Sequence, residues 1–205
     1  MKKIILISIM TLAVAFGAYF LWGRQGGQTA AHDLSVSTTT ASRGDASPSD
    51  IGLMPPVSAD SLTQTYTDST YGFTFKYPKG YTATSVPNQD SSGATILVQS
   101  AEQGGASSPS GFEIIISPFG EEMSVLTVDR IKQDLPDMTI NSPQDVVLGD
   151  GPSAGKGVAF LSDSPDFNGN SRNVWFIYKK NLYQITTYAL DDPLLQAVLN
   201  TWQFK

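Results

Sequence analysis

Residues 174–189 read VWFIYKKNLYQITTYA, and this stretch sets the architecture. Val174 to Tyr178 is apolar at every position, so neither face of the strand it forms can turn to water. A strand of that kind belongs inside a sheet. Lys180-Asn181 makes a short turn, and Leu182 to Tyr188 returns with β-branched and aromatic residues among polar ones. The reading is a central antiparallel hairpin.

Working outward, Tyr71-Gly-Phe-Thr-Phe-Lys-Tyr77 alternates large rings with small or polar residues, the period of a half-buried strand. Pro78-Lys79-Gly80 ends it. Residues 94–98 and 112–116 are further β-rich runs, and 138–148 and 156–162 are strand candidates joined by Gly149-Asp150-Gly151-Pro152. Two helices punctuate the strands. In the first, Thr127 is a cap, Val128, Ile131 and Leu135 make the apolar stripe, Leu126 staples onto Ile131, and Pro136 stops the run. In the second, Asp192 caps with Pro193 at the first position, and Leu195, Val198, Leu199 and Trp202 form the stripe. Strands at both ends with two segregated helices indicate an α+β fold, a mostly antiparallel sheet sandwiched with short helices.

The order YGFTFKYP (71–78), FEIIISPF (112–119), IKQDLP (131–136), VWFIYKKNLYQITTYA (174–189) and LLQAVLNTWQF (194–204) resembles the PsbP-like family. The resemblance covers residues 66–205 and lies in spacing and aromatic placement. The family's prototype is an extrinsic subunit of the photosynthetic oxygen-evolving complex, and exported bacterial members have no assigned activity. The resemblance implies a non-enzymatic accessory domain that binds a protein partner. It does not carry over photosystem binding. The prototype has an organelle-targeting presequence and no lasting anchor, which points this chain to an unrelated partner.

The opposite end of the chain assigns its compartment. After a cytoplasmic n-region of residues 1–3 with Lys2-Lys3, the nineteen residues Ile4 to Trp22 carry no charge. As a helix they would span about 28 Å, close to a bilayer's hydrocarbon core. Tyr19, Phe20 and Trp22 sit at the far end, where rings favour the interface, and the leading lysines set the N-terminus inside. The expectation is a single-pass signal-anchor in the cell membrane of a bacterial protein, with the C-terminal domain extracytoplasmic. Secretion after cleavage is the alternative, and Thr29-Ala30-Ala31 offers a small-residue site for it. Residues 23–65 read as a flexible linker: 23 of the 43 are Gly, Ala, Ser or Thr, and none is aromatic.

Composition excludes several function classes. Cysteine is absent, so there is no disulfide framework, thiolate metal site or cysteine nucleophile. The net charge of −6, all of it carried by residues 66–205, argues against nucleic acid. The single histidine, His32, falls in the linker, away from any serine of the fold. Lys76, Lys156, Lys179 and Lys180 read as solvated, which leaves a Ser-Lys hydrolase as an alternative with nothing specific behind it. The acidic pairs Glu121-Glu122 and Asp191-Asp192 are neighbours in sequence, so they do not face one another across a substrate. They read as surface and helix-cap residues. Gly149–Gly157 fails the phosphate-loop spacing: Asp150 stands at the first glycine and Gly157 at the Ser/Thr.

Two sets of residues remain as site candidates. Asp163, Asp166, Asn168 and Asn170 place oxygen donors at alternating positions of a Gly-containing loop, which suits a hard cation such as Ca²⁺. Ser164 and Trp175 stand where an EF-hand needs its first Asp and last Glu, so an ordinary hairpin loop is the main reading and weak Ca²⁺ binding the alternative. No other cofactor is expected. Tyr81 and Phe167 are rings in turn-rich surroundings and are candidates for partner contact. The functional expectation is therefore a membrane-anchored, non-enzymatic domain that binds an envelope or extracellular protein. The alternatives are an envelope hydrolase using carboxylates or a Ser-Lys pair, and a ligand- or calcium-binding ectodomain.

Overall fold

Ten strands and two α-helices carry the fold among the residues that the computed structural model describes, 57–88, 92–100, 110–163 and 170–205. In chain order they are β1 (Gln64–Asp68), β2 (Phe73–Tyr77), β3 (Tyr81–Pro87), β4 (Ala94–Ser100), β5 (Gly111–Pro118), α1 (Val128–Asp134), β6 (Asn141–Leu148), β7 (Gly155–Ser162), β8 (Ser171–Tyr178), β9 (Asn181–Tyr188), α2 (Asp192–Leu199) and β10 (Gln203–Phe204). All belong to one compact unit, Gly52–Lys205. The fold is α+β, as its sequence indicates. Among the described residues no helix is long and apolar enough to cross a membrane. Ile4–Trp22 and linker residues 23–56 lie outside the described residues.

The seven-stranded sheet runs β3-β4-β5-β9-β8-β7-β6, and the three-stranded one β1-β2-β10. All strand pairs are antiparallel. The large sheet consists of two meanders, β3–β4–β5 and β6–β7–β8–β9, joined along a single seam where β5 pairs with β9 from Phe112↔Thr187 to Pro118↔Asn181. Alternation then sorts the side chains. Ile96, Val98, Ile114, Ile116, Val174, Phe176, Tyr183 and Ile185 face the main core, which is closed by Phe73 and Phe75 of β2 and by Leu195, Val198 and Trp202. The residues between them, Val158, Phe160, Trp175, Ile177 and Leu182, are buried as well. Phe119, Leu126 and Ile131 are buried outside the main core and cover that second face. Leu126 N–H donates to Lys156 O on β7 at 3.3 Å.

The rings of YGFTFKYP share one face, as the alternation requires: Phe73 is 0% and Phe75 1% exposed. Trp202 stacks on both, at 4.5 and 5.3 Å between ring centres. Helix α1 follows its capping signals, with Thr127 Oγ1 accepting from Arg130 N–H at 3.2 Å and Leu126 and Ile131 buried.

Several expectations need correction. The fold begins before residue 66, because β1 starts at Gln64, Leu62 is 4% exposed and Val57 packs on the core, so residues 57–65 are not linker. Strands β1, β3 and β10 were not read from sequence. The hairpin turn is Lys179-Lys180 rather than Lys180-Asn181, since Tyr178 pairs with Asn181. Both lysines have positive φ, 44° and 62°, the backbone that a two-residue turn needs to match strand twist. Helix α2 starts at Asp192 itself, because a 3-10 turn at Ala189–Asp191 runs straight into it. Trp202 lies beyond the helix end at Leu199, so it packs from the following turn and not from the helical stripe.

Candidate functional site

Strand register gathers one set of polar residues at one end of the large sheet. Tyr81 pairs with Ser100, Gln99 with Gly111, Phe112 with Thr187, and Ser162 with Ser171, so all of these positions lie near the same rim. The 3-10 turn Ala189–Asp191 leaves this rim from β9.

At the centre of the rim Asp191 is buried, 4% exposed. Ser110 Oγ donates to Asp191 Oδ1 at 3.0 Å, and Gly111 N–H donates to Oδ2 at 3.1 Å. The proton of Ser110 is thereby committed, so in its 2.8 Å contact with Ser110 Oγ the Tyr81 hydroxyl is the donor. Thr187 Oγ1 adds a bond to Gly111 O at 2.6 Å. Among the described residues the hydrogen-bond partners of Ser110 Oγ are the Tyr81 hydroxyl and the Asp191 carboxylate. The arrangement ties β3, β5 and the turn after β9 into one piece.

The next residue is held just as firmly. Arg172 grips Asp192 with Nε and Nη2 at 3.1 Å each, and Gln196 Nε2 donates to Asp192 Oδ2 at 2.9 Å. Leu190 therefore sits on a turn whose following two residues are both fixed, and its own side chain is 49% exposed. Sequence reasoning missed Leu190, Ser110 and the burial of Asp191. Asp191-Asp192 before a proline carries an ordinary cap signal, and nothing in it separates the carboxylate that turns inward from the one that pairs with an arginine.

Farther along the rim, Asn173 Nδ2 donates to Ser171 Oγ at 3.0 Å, and Ser171 Oγ donates to Ser162 O at 3.2 Å. Thr186 Oγ1 donates to Asn173 Oδ1 at 3.1 Å. These polar groups are bonded to one another and to the scaffold.

Tyr81 is not a free loop ring: it opens β3, is half-buried against the core and bonds Ser110. Asp163 and Asn170 stand one position beyond the last β7–β8 pair, at the mouth of that hairpin, and Asn170 O accepts from Ala189 N–H at 3.2 Å. Asp166, Phe167 and Asn168 lie outside the described residues. Tyr81 and Asp163 share the rim but are five strand spacings apart, about 24 Å, so they do not form one site. Among the described residues no three His, Cys, Asp or Glu side chains gather as a metal set would.

At the surface, Glu121 accepts from Arg130, and this bond holds its carboxyl below the usual range. Arg130 also pairs with Asp134, and the two carboxylates raise its pKa.

No protein-family model matches the chain, and no curated protein does. Among solved structures it is similar to cyanobacterial PsbP (CyanoP) from Synechocystis sp. PCC 6803. The match has 11% identity, covers 69% of this chain and 92% of that one, and gives a TM-score of 0.46. The likeness is one of fold.

Proposed function

We propose that this chain is a single-pass, membrane-tethered protein whose domain lies outside the cytoplasm and recognises an envelope or extracellular protein, with no covalent chemistry of its own. The observation that carries the reading is Leu190, a half-exposed apolar side chain on a turn fixed by Asp191 and Asp192. Interfaces depend on a few apolar or aromatic anchors, and an anchor already rigid in the free protein loses little entropy on binding. The side chains of Ser110, Asp191, Asp192, Ser171 and Asn173 on the same rim are engaged in scaffold bonds, which suits a supporting role better than a catalytic one.

The test is a photo-crosslinking residue placed at Leu190 of the full chain in its own cell envelope. The expected result is an adduct with one protein that is absent when the probe replaces Lys180 in the exposed hairpin turn. Leu190→Asp should abolish that association while leaving the thermal midpoint unchanged. Equal labelling from both positions would refute the assignment. A reporter active only outside the cytoplasm, fused after Lys205, tests the topology separately.

A further inference from the structure

The two edges of the seven-stranded sheet are treated differently by the sequence. An open edge presents unpaired backbone groups, and proteins usually block it with charge, proline or a bulge. Edge strand β6 is blocked: Pro143 lacks an N–H, Ser142 has φ 48°, the register shifts between Asn141 and Gln144, and Asp145 adds charge. Edge strand β3, Tyr81-Thr-Ala-Thr-Ser-Val-Pro87, has no charged residue, and only its terminal Pro87 interrupts it.

Bonds at the ends of β4 show which groups of β3 point outward. Ser100 N–H donates to Ser110 O at 2.9 Å, so even-numbered residues of β4 bond toward β5 and odd-numbered ones toward β3. The bond from Asn88 N–H to Gly93 O at 3.1 Å extends the same parity. Thr82, Thr84 and Val86 therefore bond to β4, and the groups of Tyr81, Ala83, Ser85 and Pro87 look outward. Tyr81 N–H is taken by Pro78 O at 3.4 Å, and Pro87 has none. Two donors remain, the N–H groups of Ala83 and Ser85. Among the described residues no acceptor meets either.

We propose that the outer edge of β3 docks a second copy of this chain, the two β3 strands pairing antiparallel about Thr84 and joining two sheets into one. The strand is symmetric about that residue: β-branched Thr82, Thr84 and Val86 share one face, and the small residues Ala83 and Ser85 share the other. A two-fold interface requires such self-complementarity. In this register Ala83 faces the second copy's Ser85, and all four free N–H groups find carbonyls. Thr82 faces the second copy's Val86, which gives that side chain, 47% exposed in one copy, a β-branched neighbour. The strand carries no charge, so no like charges meet across the axis.

The absence of cysteine makes the register testable in the full chain. Thr84 would lie in a non-hydrogen-bonded pair with its own copy, Cα atoms about 4.5 Å apart, within disulfide reach. Thr82 would lie about 13 Å from its own copy, out of reach. Thr84→Cys, Thr82→Cys and, on the other edge, Val147→Cys are oxidised mildly in the membranes of expressing cells. The expected result is a reducible dimer at Thr84→Cys at least about tenfold more abundant than at the other two. In the cysteine-free chain, Thr84→Lys sets two like charges on the axis and should weaken self-association in sedimentation by at least about tenfold. Equal cross-linking at Thr84→Cys and Val147→Cys would mean random collision and overturn the proposal. So would a Thr84→Cys disulfide to any other protein, or unchanged sedimentation of Thr84→Lys.

Discussion

Replacing Tyr183 by phenylalanine should stabilise this protein. Tyr183 is 0% exposed, and its hydroxyl has no hydrogen-bond partner among the described residues. Its ring stacks on Phe176 at 4.8 Å and meets Phe73, Phe204 and Trp202 edge-on at 6.0, 6.1 and 6.5 Å. Phenylalanine keeps each of those contacts and removes only the stranded hydroxyl. Burying such a group without a bond costs about 1–3 kcal/mol, so a gain near the low end, about 1 kcal/mol, is expected. For a chain of this length that raises the melting midpoint by about 2–4 °C. The pH dependence gives a second readout. Burial, followed by the proximity of Tyr178, Asp68 and Tyr71, raises the Tyr183 pKa above its usual value near 10. A raised pKa means that the folded state holds the proton more tightly than the unfolded state does. Its stabilising contribution is complete below about pH 10 and is lost as pH climbs toward the folded-state value. Denaturant unfolding of both proteins at pH 7 and across pH 9–12 measures both effects, and Tyr183→Phe should resist alkali better. A loss of about 1 kcal/mol or more at pH 7 would show that the hydroxyl is bonded. Coincident alkaline curves would show that it does not sense burial.

Three further substitutions test the packing. Trp202→Ala removes a buried ring stacked on Phe73 and Phe75 and should cost about 3–5 kcal/mol in equilibrium unfolding. Gly157→Ala would set a Cβ 1.9 Å from Trp175 O and 2.6 Å from Phe176 Cα, so β7 and β8 must part. A loss of about 3 kcal/mol, or failure to accumulate folded protein, is expected. Asp191→Ala leaves Ser110 Oγ and Gly111 N–H without their acceptor and should cost about 2–3 kcal/mol, with Asp191→Asn losing less. An unperturbed Asp191→Ala midpoint would mean that the rim is not held by this carboxylate.

What the sequence disclosed follows from how strongly each element is patterned. The β8–β9 hairpin, β2 and α1 carry dense apolar periodicity or capping residues, and each lies within a residue or two of where it was read. Strand β3 was missed because Tyr81-Thr-Ala-Thr-Ser-Val-Pro87 has one ring on the core side and otherwise small or exposed residues. An edge strand with few side chains to bury leaves almost no hydrophobic signal. Strand β1 escaped for a similar reason, as its threonines continue the composition of the residues before it. The rim was less legible still. Asp191 and Ser110 meet across 81 positions of chain, a proximity that only the β5–β9 pairing creates. Tyr81 looked like a loop ring because Pro78-Lys79-Gly80 precedes it, yet its hydroxyl reaches that same serine.

The β5–β9 seam also dictates an order of assembly. Hairpins within each meander close short stretches of chain, whereas Phe112 must find Thr187 across the whole second meander. Contacts so far apart in sequence are reached late, after the loop-closure entropy has been met. Until then two sheet fragments coexist, and β5, with Ile114-Ile115-Ile116, and β9 both lie bare along one side. That interval is the hazardous stage of the protein's biogenesis, when a strand from a neighbouring chain could take the place that the seam reserves. The completed seam is fastened at both ends, by Asp191 to Ser110 and Gly111 at one and by the Phe119 N–H bond to Lys180 O, 2.7 Å, at the other. Once zipped, it leaves a stray strand no free end at which to begin its invasion.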